Sequence, residues 1–319
     1  MSDLVSIVVP CHNEEESIPL LLHELGKVSH EMDGTRFELI FVDDGSLDGT
    51  LKLLRELSKK DFGEIDIRYI SLSRNFGKEA AMLAGLEAST GDFVAVMDAD
   101  MQHPPDLLPI MYRGIACEGF DSVAARRICR KGESRLRSWL AGKFYRIINH
   151  LSSTQMVDGA TDYRLMTRQM VDAVLSLREY NRFTKGLFSW VGFSVKWLDY
   201  ENIPRNAGRT KWSFWQLFTY SLDGIVAFSV KPLAISSLLG VIFCILAFLY
   251  AIFIAVRWLL FGDPVQGWAT LMCVILFASG IQLFCTGILG QYIAKSYLEA
   301  KGRPIYIVKE KNTSSKGSL

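Results

Sequence analysis

The sequence predicts an α/β protein: a mostly parallel sheet with helices on both faces, followed by an interfacial helix and two transmembrane helices. Three observations predict it. From Val5 to about Ala125, short β-branched runs alternate with amphipathic stretches of helical length. A polar cluster follows each of the first four runs, where such sheets bind ligands. Finally, the stretch from Pro232 to Ala294 holds a single Arg, Arg257, and a single Asp, Asp263.

The elements follow in order. VSIVVP is the first strand, and a helix runs from there to about Ser29. FELIFVDD, IRYISL and FVAVMDAD are the next three strands, each separated from the last by a helix-length crossover. Their polar clusters are Cys11 to Glu16, Asp43 to Asp48, Ser73 to Lys78 and Asp98 to Gln102. Between Arg126 and Arg209 the pattern is less regular, with helices expected over Ser134 to Leu151 and Arg168 to Leu177. Ser213 to Val230 carries Phe214, Trp215, Phe218, Tyr220 and Phe228 with almost no charge, which suits a helix lying among lipid headgroups. A packed core helix is the alternative.

Leu233 to Val256 and Pro264 to Ala294 each exceed the roughly 20 residues a helix needs to cross a bilayer. The short link between them makes a hairpin, so both ends lie on one side. Lys231 precedes the pair, and Lys295, Lys301, Arg303, Lys309 and Lys311 follow it, so that side is the cytoplasm. The residues from about Lys311 read as a frayed tail.

Composition narrows the function. A formal net charge of +1 supplies no basic field for nucleic acid. The six Cys include no C-x-x-C pair, which argues against a disulfide framework or a zinc site and suits a reducing compartment. Met1 to Pro10 reads as a strand and not as a signal peptide.

Asp98 and Asp100 end an apolar strand, and alternate residues of a strand share a face. Two such carboxylates repel unless a cation separates them. Mg2+ or Mn2+ fits, because these ions take one or two carboxylates and complete their shell with water and phosphate. Gln102 stands beside them; a solvated turn is the alternative for a lone D-x-D. Asp43-Asp44-Gly45-Ser46 can accept bonds from a base or ribose, and neither G-x-G-x-x-G nor a P-loop occurs. Arg74, Asn75 and Lys78 stand at a helix start, where an anion is favoured. Arg126, Arg127, Arg130, Lys131, Arg135 and Arg137 form a basic stretch that is either a phosphate contact or a solvated helical face. Asp162, in TDYRL, is placed to face a reacting carbon. Arg209 and Lys211 precede the interfacial segment, where cations meet anionic headgroups. His12 and His103 lie near the cleft without a ligand role.

Together VSIVVPCHNEEESI, FVDDGSLDGT, LSRNFGKEAAMLAGL, VMDADMQHPPDLLP, TDYRLM, RFTKGLFSWVG and GRTKW, followed by two spans, resemble the GT-A family 2 polyprenyl-phosphate glycosyltransferases. The likeness is to the bactoprenol glucosyltransferase branch of O-antigen glucosylation, related to dolichyl-phosphate mannose synthases, and runs over nearly the whole chain. It departs at Cys11-His12, where an aromatic or small residue is more usual.

The resemblance implies a UDP-sugar donor, a polyprenyl (undecaprenyl) phosphate acceptor and transfer at the bacterial inner membrane. Nucleotide contacts are implied at Pro10, Asn13, Glu15 and Asp43, and metal binding at Asp98, Asp100 and Gln102; the residues themselves add Asn75, Lys78 and Asp98 to the nucleotide's surroundings. Asp162 is the implied catalytic carboxylate, with Arg126, Arg135 and Lys211 at phosphates and Arg209 expected beside them. The implied organisation is a cytoplasmic catalytic domain over 1–212, an interfacial helix over 213–231, a hairpin over 232–294 and a tail over 295–319. Gly240, Gly280, Gly287 and Gly290 allow close helix packing and so a homo-oligomer. Two rivals remain. A processive polysaccharide enzyme would carry Q-x-x-R-W and more spans, and a silent nucleotide-sugar-binding protein would have lost its acidic residues, which are intact.

Overall fold

The computed structural model describes residues 2–129, 149, 157–201, 226–227, 229–261 and 267–312. The expected helix over 134–151, nearly all of the expected interfacial helix, and Arg135, Arg209 and Lys211 lie outside the described residues.

Four strands, β1 (Leu4–Cys11), β2 (Arg36–Asp43), β3 (Ile65–Leu72) and β4 (Phe93–Val96), alternate with α1 (Ser17–Glu31), α2 (Thr50–Leu57) and α3 (Lys78–Ala88). They pair in parallel in the order β4, β1, β2, β3. Because β1 stands between β2 and β4, the winding reverses there, and a crevice opens beyond the carboxyl ends of β1 and β4. α4 (Leu107–Ala116) leads to β5 (Ser122–Cys129), β6 (Ala160–Thr167), α5 (Arg168–Ser176), α6 (Thr184–Trp190) and β7 (Val195–Glu201).

The sheet has eight strands in the order β7-β5-β6-β4-β1-β2-β3-β8. β6 runs antiparallel to both β4 and β5, β7 is parallel to β5, and β8 (Val308–Lys311) is antiparallel to β3. The segment TDYRLM is therefore the middle of a strand, and part of the expected tail is a sheet edge.

Side-chain alternation builds two apolar layers. Ile7, Val9, Leu39 and Phe41 face α1 and α4, whose Ile18, Leu21, Leu25 and Leu108, Met111, Ile115 recur at three- and four-residue spacing. Val8, Val94, Val96 and Met166 face the other way, onto Met82 and Leu86 of α3, Met170 and Val174 of α5 and Phe188 of α6.

Two long helices follow, α7 (Lys231–Phe261) and α8 (Trp268–Ala300), both long and apolar enough to cross a membrane. Phe248, Phe253, Leu276 and Leu283 among their apolar side chains are more than half exposed, unlike those of a soluble core helix. They form an antiparallel pair: Ser229 meets Tyr292, Ser236 meets Cys285 and Phe243 meets Phe277. At the end of α8, Glu299 accepts hydrogen bonds from the Tyr180 and Asn181 N–H groups, docking the hairpin on the loop that leads into α6.

Candidate active site

Three loops at the carboxyl ends of β1, β2 and β3 are laced to one another. Asn13, at a positive φ of 58°, donates its N–H to Ser46 Oγ and accepts from the Leu47 N–H. Glu15 accepts from the Gly49 N–H at 2.9 Å. Asp43 is fully buried; it accepts from the Ser46 N–H at 3.0 Å and from the Ser71 hydroxyl at 2.9 Å. Asp44 accepts from the consecutive Phe76 and Gly77 N–H groups at 2.7 and 2.8 Å, fixing the loop that starts α3. Burial raises the Asp44 carboxyl above its ordinary value, against the pull of those two amides. His12 bonds the Asp44 carbonyl through Nδ1, and Asn75 stands over its ring. The sequence-predicted nucleotide residues Pro10, Asn13, Glu15, Asp43 and Asn75 thus gather around one set of loops. Asn13, Glu15 and Asp43 spend their polar atoms holding those loops together.

The second group centres on Lys78, the first residue of α3. Its ammonium lies 2.6 Å from Asp98 Oδ1 and 2.6 Å from Asp162 Oδ2, joining the end of β4 to the middle of β6. Antiparallel pairing brings the two acids together, since Val96 is opposite Arg164 and the ladder ends there. Burial alone would raise the Asp162 carboxyl, but Lys78 and then Lys185 outweigh it and hold it well below the carboxylate range. Burial would likewise lower the Lys78 ammonium, and Asp162 and Asp98 reverse that, keeping it charged.

The D-x-D segment is not built as strand alternation predicts. β4 stops at Val96, so Asp98-Ala99-Asp100 lies in the turn beyond it. That turn is shaped by a positive φ at Met101 and by the Gln102 N–H donated to Asp100 Oδ1 at 3.1 Å. Arg126 is also placed differently from a free phosphate contact. It donates from Nε and Nη2 to Asp199, its ladder partner on β7, facing solvent.

Several residues around Asp162 were not assigned from sequence. His103 is buried between Tyr163 and Tyr200, with Nδ1 3.8 Å from Asp98 Oδ2, and burial lowers its pKa. Arg164 shares the Asp162 face of β6, lies over the Phe188 ring and is buried with its Nε unpartnered. Burial draws its pKa down to about 10. It lines a small cavity with Lys185 of α6. Glu79 accepts from both the backbone and the hydroxyl of Thr184, tying α3 to α6. The available signal for Arg164 was two-residue alternation with Asp162, which is readable only once TDYRLM is recognised as a strand. Two larger cavities, of about 310 and 600 Å3, border neither Asp98 nor Asp162.

The donor set suits a hard divalent ion: two carboxylates and an amide at the lip of the crevice. Among the described residues no three His, Cys, Asp or Glu side chains form a metal cluster, so such an ion would draw its remaining ligands from elsewhere.

The model of "Glycosyl transferase family 2" matches residues 6–175. The putative glycosyltransferase CsbB of Bacillus subtilis is 44% identical over 98% of this chain and 93% of its own length. The bactoprenol glucosyl transferase of Shigella phage SfX is 36% identical over 96% of this chain and 99% of its own. Among solved structures, mannosyl-3-phosphoglycerate synthase from Rubrobacter xylanophilus aligns with a TM-score of 0.47 and 19% identity, covering 70% of this chain and 73% of that one. The match over more than half the chain, and relatives aligned over nearly all of it, make this protein a glycosyltransferase belonging to glycosyl transferase family 2.

Proposed function

We propose that the protein moves a hexose, glucose first among the candidates, from a UDP-sugar to polyprenyl phosphate such as undecaprenyl phosphate. The setting is the cytoplasmic face of a bacterial inner membrane, with residues 1–212 as catalytic domain. The observation that carries the reading is the meeting of Asp98 and Asp162 at one ammonium, beside a helix whose leading loop holds the base of an apolar hairpin. Relatives named as bactoprenol glucosyl transferases support the acceptor class.

A divalent ion, Mg2+ or Mn2+, held by Asp98, Asp100 and Gln102, would supply charge to neutralise the departing diphosphate. The chain's own residues do the rest. The laced loops carrying Asn13, Glu15, Asp43 and Asn75 shape the nucleotide's seat. The acceptor phosphate oxygen bonds to the anomeric carbon while the carbon–oxygen bond to UDP breaks, which inverts the sugar. A phosphate monoester is mostly dianionic above its second pKa of about 6, so no base need remove a proton. Asp162, ionised beside Lys78 and Lys185 in the free enzyme, is a weak base. It serves to steady positive charge on the sugar ring and to place the acceptor. Lys211, Arg209 and Arg135 are the further cations proposed for the phosphates.

The test uses membranes containing the full chain, polyprenyl phosphate and a panel of radiolabelled nucleotide-sugars, with and without chelator. Labelled lipid from UDP-glucose, lost on chelation, is expected. No labelled lipid from any donor overturns the reading.

A further inference from the structure

We infer that Lys78 is an exchangeable counter-ion: in the free enzyme its ammonium takes the charge position that a divalent ion needs on Asp98, and only the arriving nucleoside diphosphate draws it away. The inference rests on the metal-assisted reading above and concerns the order in which the site fills.

Two features of the site lead to it. The first is the bridge itself. Lys78 Nζ is 2.6 Å from both Asp98 and Asp162, so an ion approaching Asp98 would meet a positive charge within a few Å and be repelled. The second is the sparse donor set, since no three His, Cys, Asp or Glu side chains among the described residues are arranged to hold an ion and outweigh that repulsion. A diphosphate changes the balance, because its oxygens add ligands for the ion and a new anion for the lysine.

The bridge is also built to open. The Lys78 side chain is 42% exposed while that of Asp162 is 12% exposed, so the ammonium can swing on its four-carbon stem without disturbing the acid beneath. Its departure does two things together. It clears Asp98 for the ion, and it uncovers Asp162 on the side from which an acceptor would come. Metal and nucleotide therefore bind with positive coupling, and by linkage each strengthens the other by the same factor. Lys78 is a positioning residue in this scheme.

The experiment measures Mn2+ binding to the detergent-solubilised full chain by the spin-resonance signal of free Mn2+, with and without saturating UDP and without lipid. Wild type should bind Mn2+ weakly alone and at least about tenfold more tightly with UDP. Lys78→Met should bind Mn2+ alone about tenfold more tightly than wild type, with a reduced UDP effect. Lys78→Arg, which keeps the charge, should resemble wild type. A tightening caused by charge removal is not what a merely destabilised loop would give.

Equal Mn2+ affinity with and without UDP in wild type would overturn the proposal even if the variants failed to fold. Unchanged or weaker binding of Mn2+ alone by folded Lys78→Met would overturn it too. The acceptor reading fails separately: the expected Mn2+ and UDP behaviour without any labelled lipid would remove the polyprenyl acceptor and leave the role of Lys78 standing.

Discussion

Two pairs of acids in the same crevice are held in opposite ways. Asp43 and Asp44 are satisfied by the hydroxyl of Ser71 and by three backbone N–H groups, from Ser46, Phe76 and Gly77. Asp98 and Asp162 share one lysine ammonium. A carboxylate bound by backbone amides can change partner only if its loop unfolds. One bound by a flexible ammonium changes partner with a rotamer. The side proposed for the nucleotide is thus built in advance, and the side proposed for the reaction is built to exchange.

If that division is right, neutralising the exchangeable pair should damage turnover far more than nucleotide binding. Asp162→Asn is expected to lower kcat/KM by about 10^2- to 10^4-fold, with little change in UDP affinity. A variant that turns over normally would remove Asp162 from the chemistry. The same carboxyl sets a pH expectation. Its folded pKa lies below the unfolded value of about 3.9, so the stability from its ion pair is complete above that value and lost only as pH falls through the folded one. Between about pH 5 and pH 9 the rate should therefore carry no limb from Asp162, only an acid limb near about pH 6 from the acceptor phosphate. A further acid limb in that window, absent in Asp162→Asn, would break the comparison.

The opposite signature is expected on the built side. Asp44→Asn leaves one of two adjacent N–H groups, from Phe76 and Gly77, facing an amide donor. A cost of about 2 to 3 kcal/mol follows, read as a fall in unfolding temperature together with weaker UDP binding. Gly45→Ala should cost about 2 kcal/mol. Its φ is +65°, and a Cβ there would stand 2.5 Å from the Arg74 carbonyl carbon and 2.6 Å from the Asn75 nitrogen. Both obstacles are backbone, so the second and third loops would have to part. Unfolding at the wild-type temperature would show that these loops are not held as described.

The same contrast explains what the sequence disclosed. β1 to β4 and their loops were legible because buried strands leave apolar runs and each run ends in polar residues. β6 was hidden because one of its two buried faces carries Asp162 and Arg164, charges kept inside by Lys78 and by the Phe188 ring, which erase the apolar pattern. β8 was hidden for a different reason: VKEK is an exposed edge strand with almost nothing to bury. The strand alternation expected of the D-x-D acids does not hold, since they sit in a turn that begins where the β4–β6 ladder stops. The meeting of Lys78 with both acids could not be read at all, because it depends on the antiparallel placing of a strand more than sixty residues further along the chain.

The smallest expected effect comes from Gly49→Ala, and it tests whether lacing alone matters. A Cβ there would fall 2.2 Å from Glu15 Oε1, which is the far end of a flexible side chain and can move aside. Gly49 also lacks the positive φ that strains Gly45. The fold should therefore lose less than about 1 kcal/mol. The bond from the Gly49 N–H to Glu15 would lengthen or break all the same, freeing one of the strands of the lace between the first and second loops. If the loops seat the nucleotide by being held together, UDP affinity should fall several-fold while unfolding temperature barely moves. Unchanged UDP affinity would mean that the contacts of Asn13 with Ser46 and Leu47 suffice to hold these loops, and that Glu15 is free to serve the ligand directly.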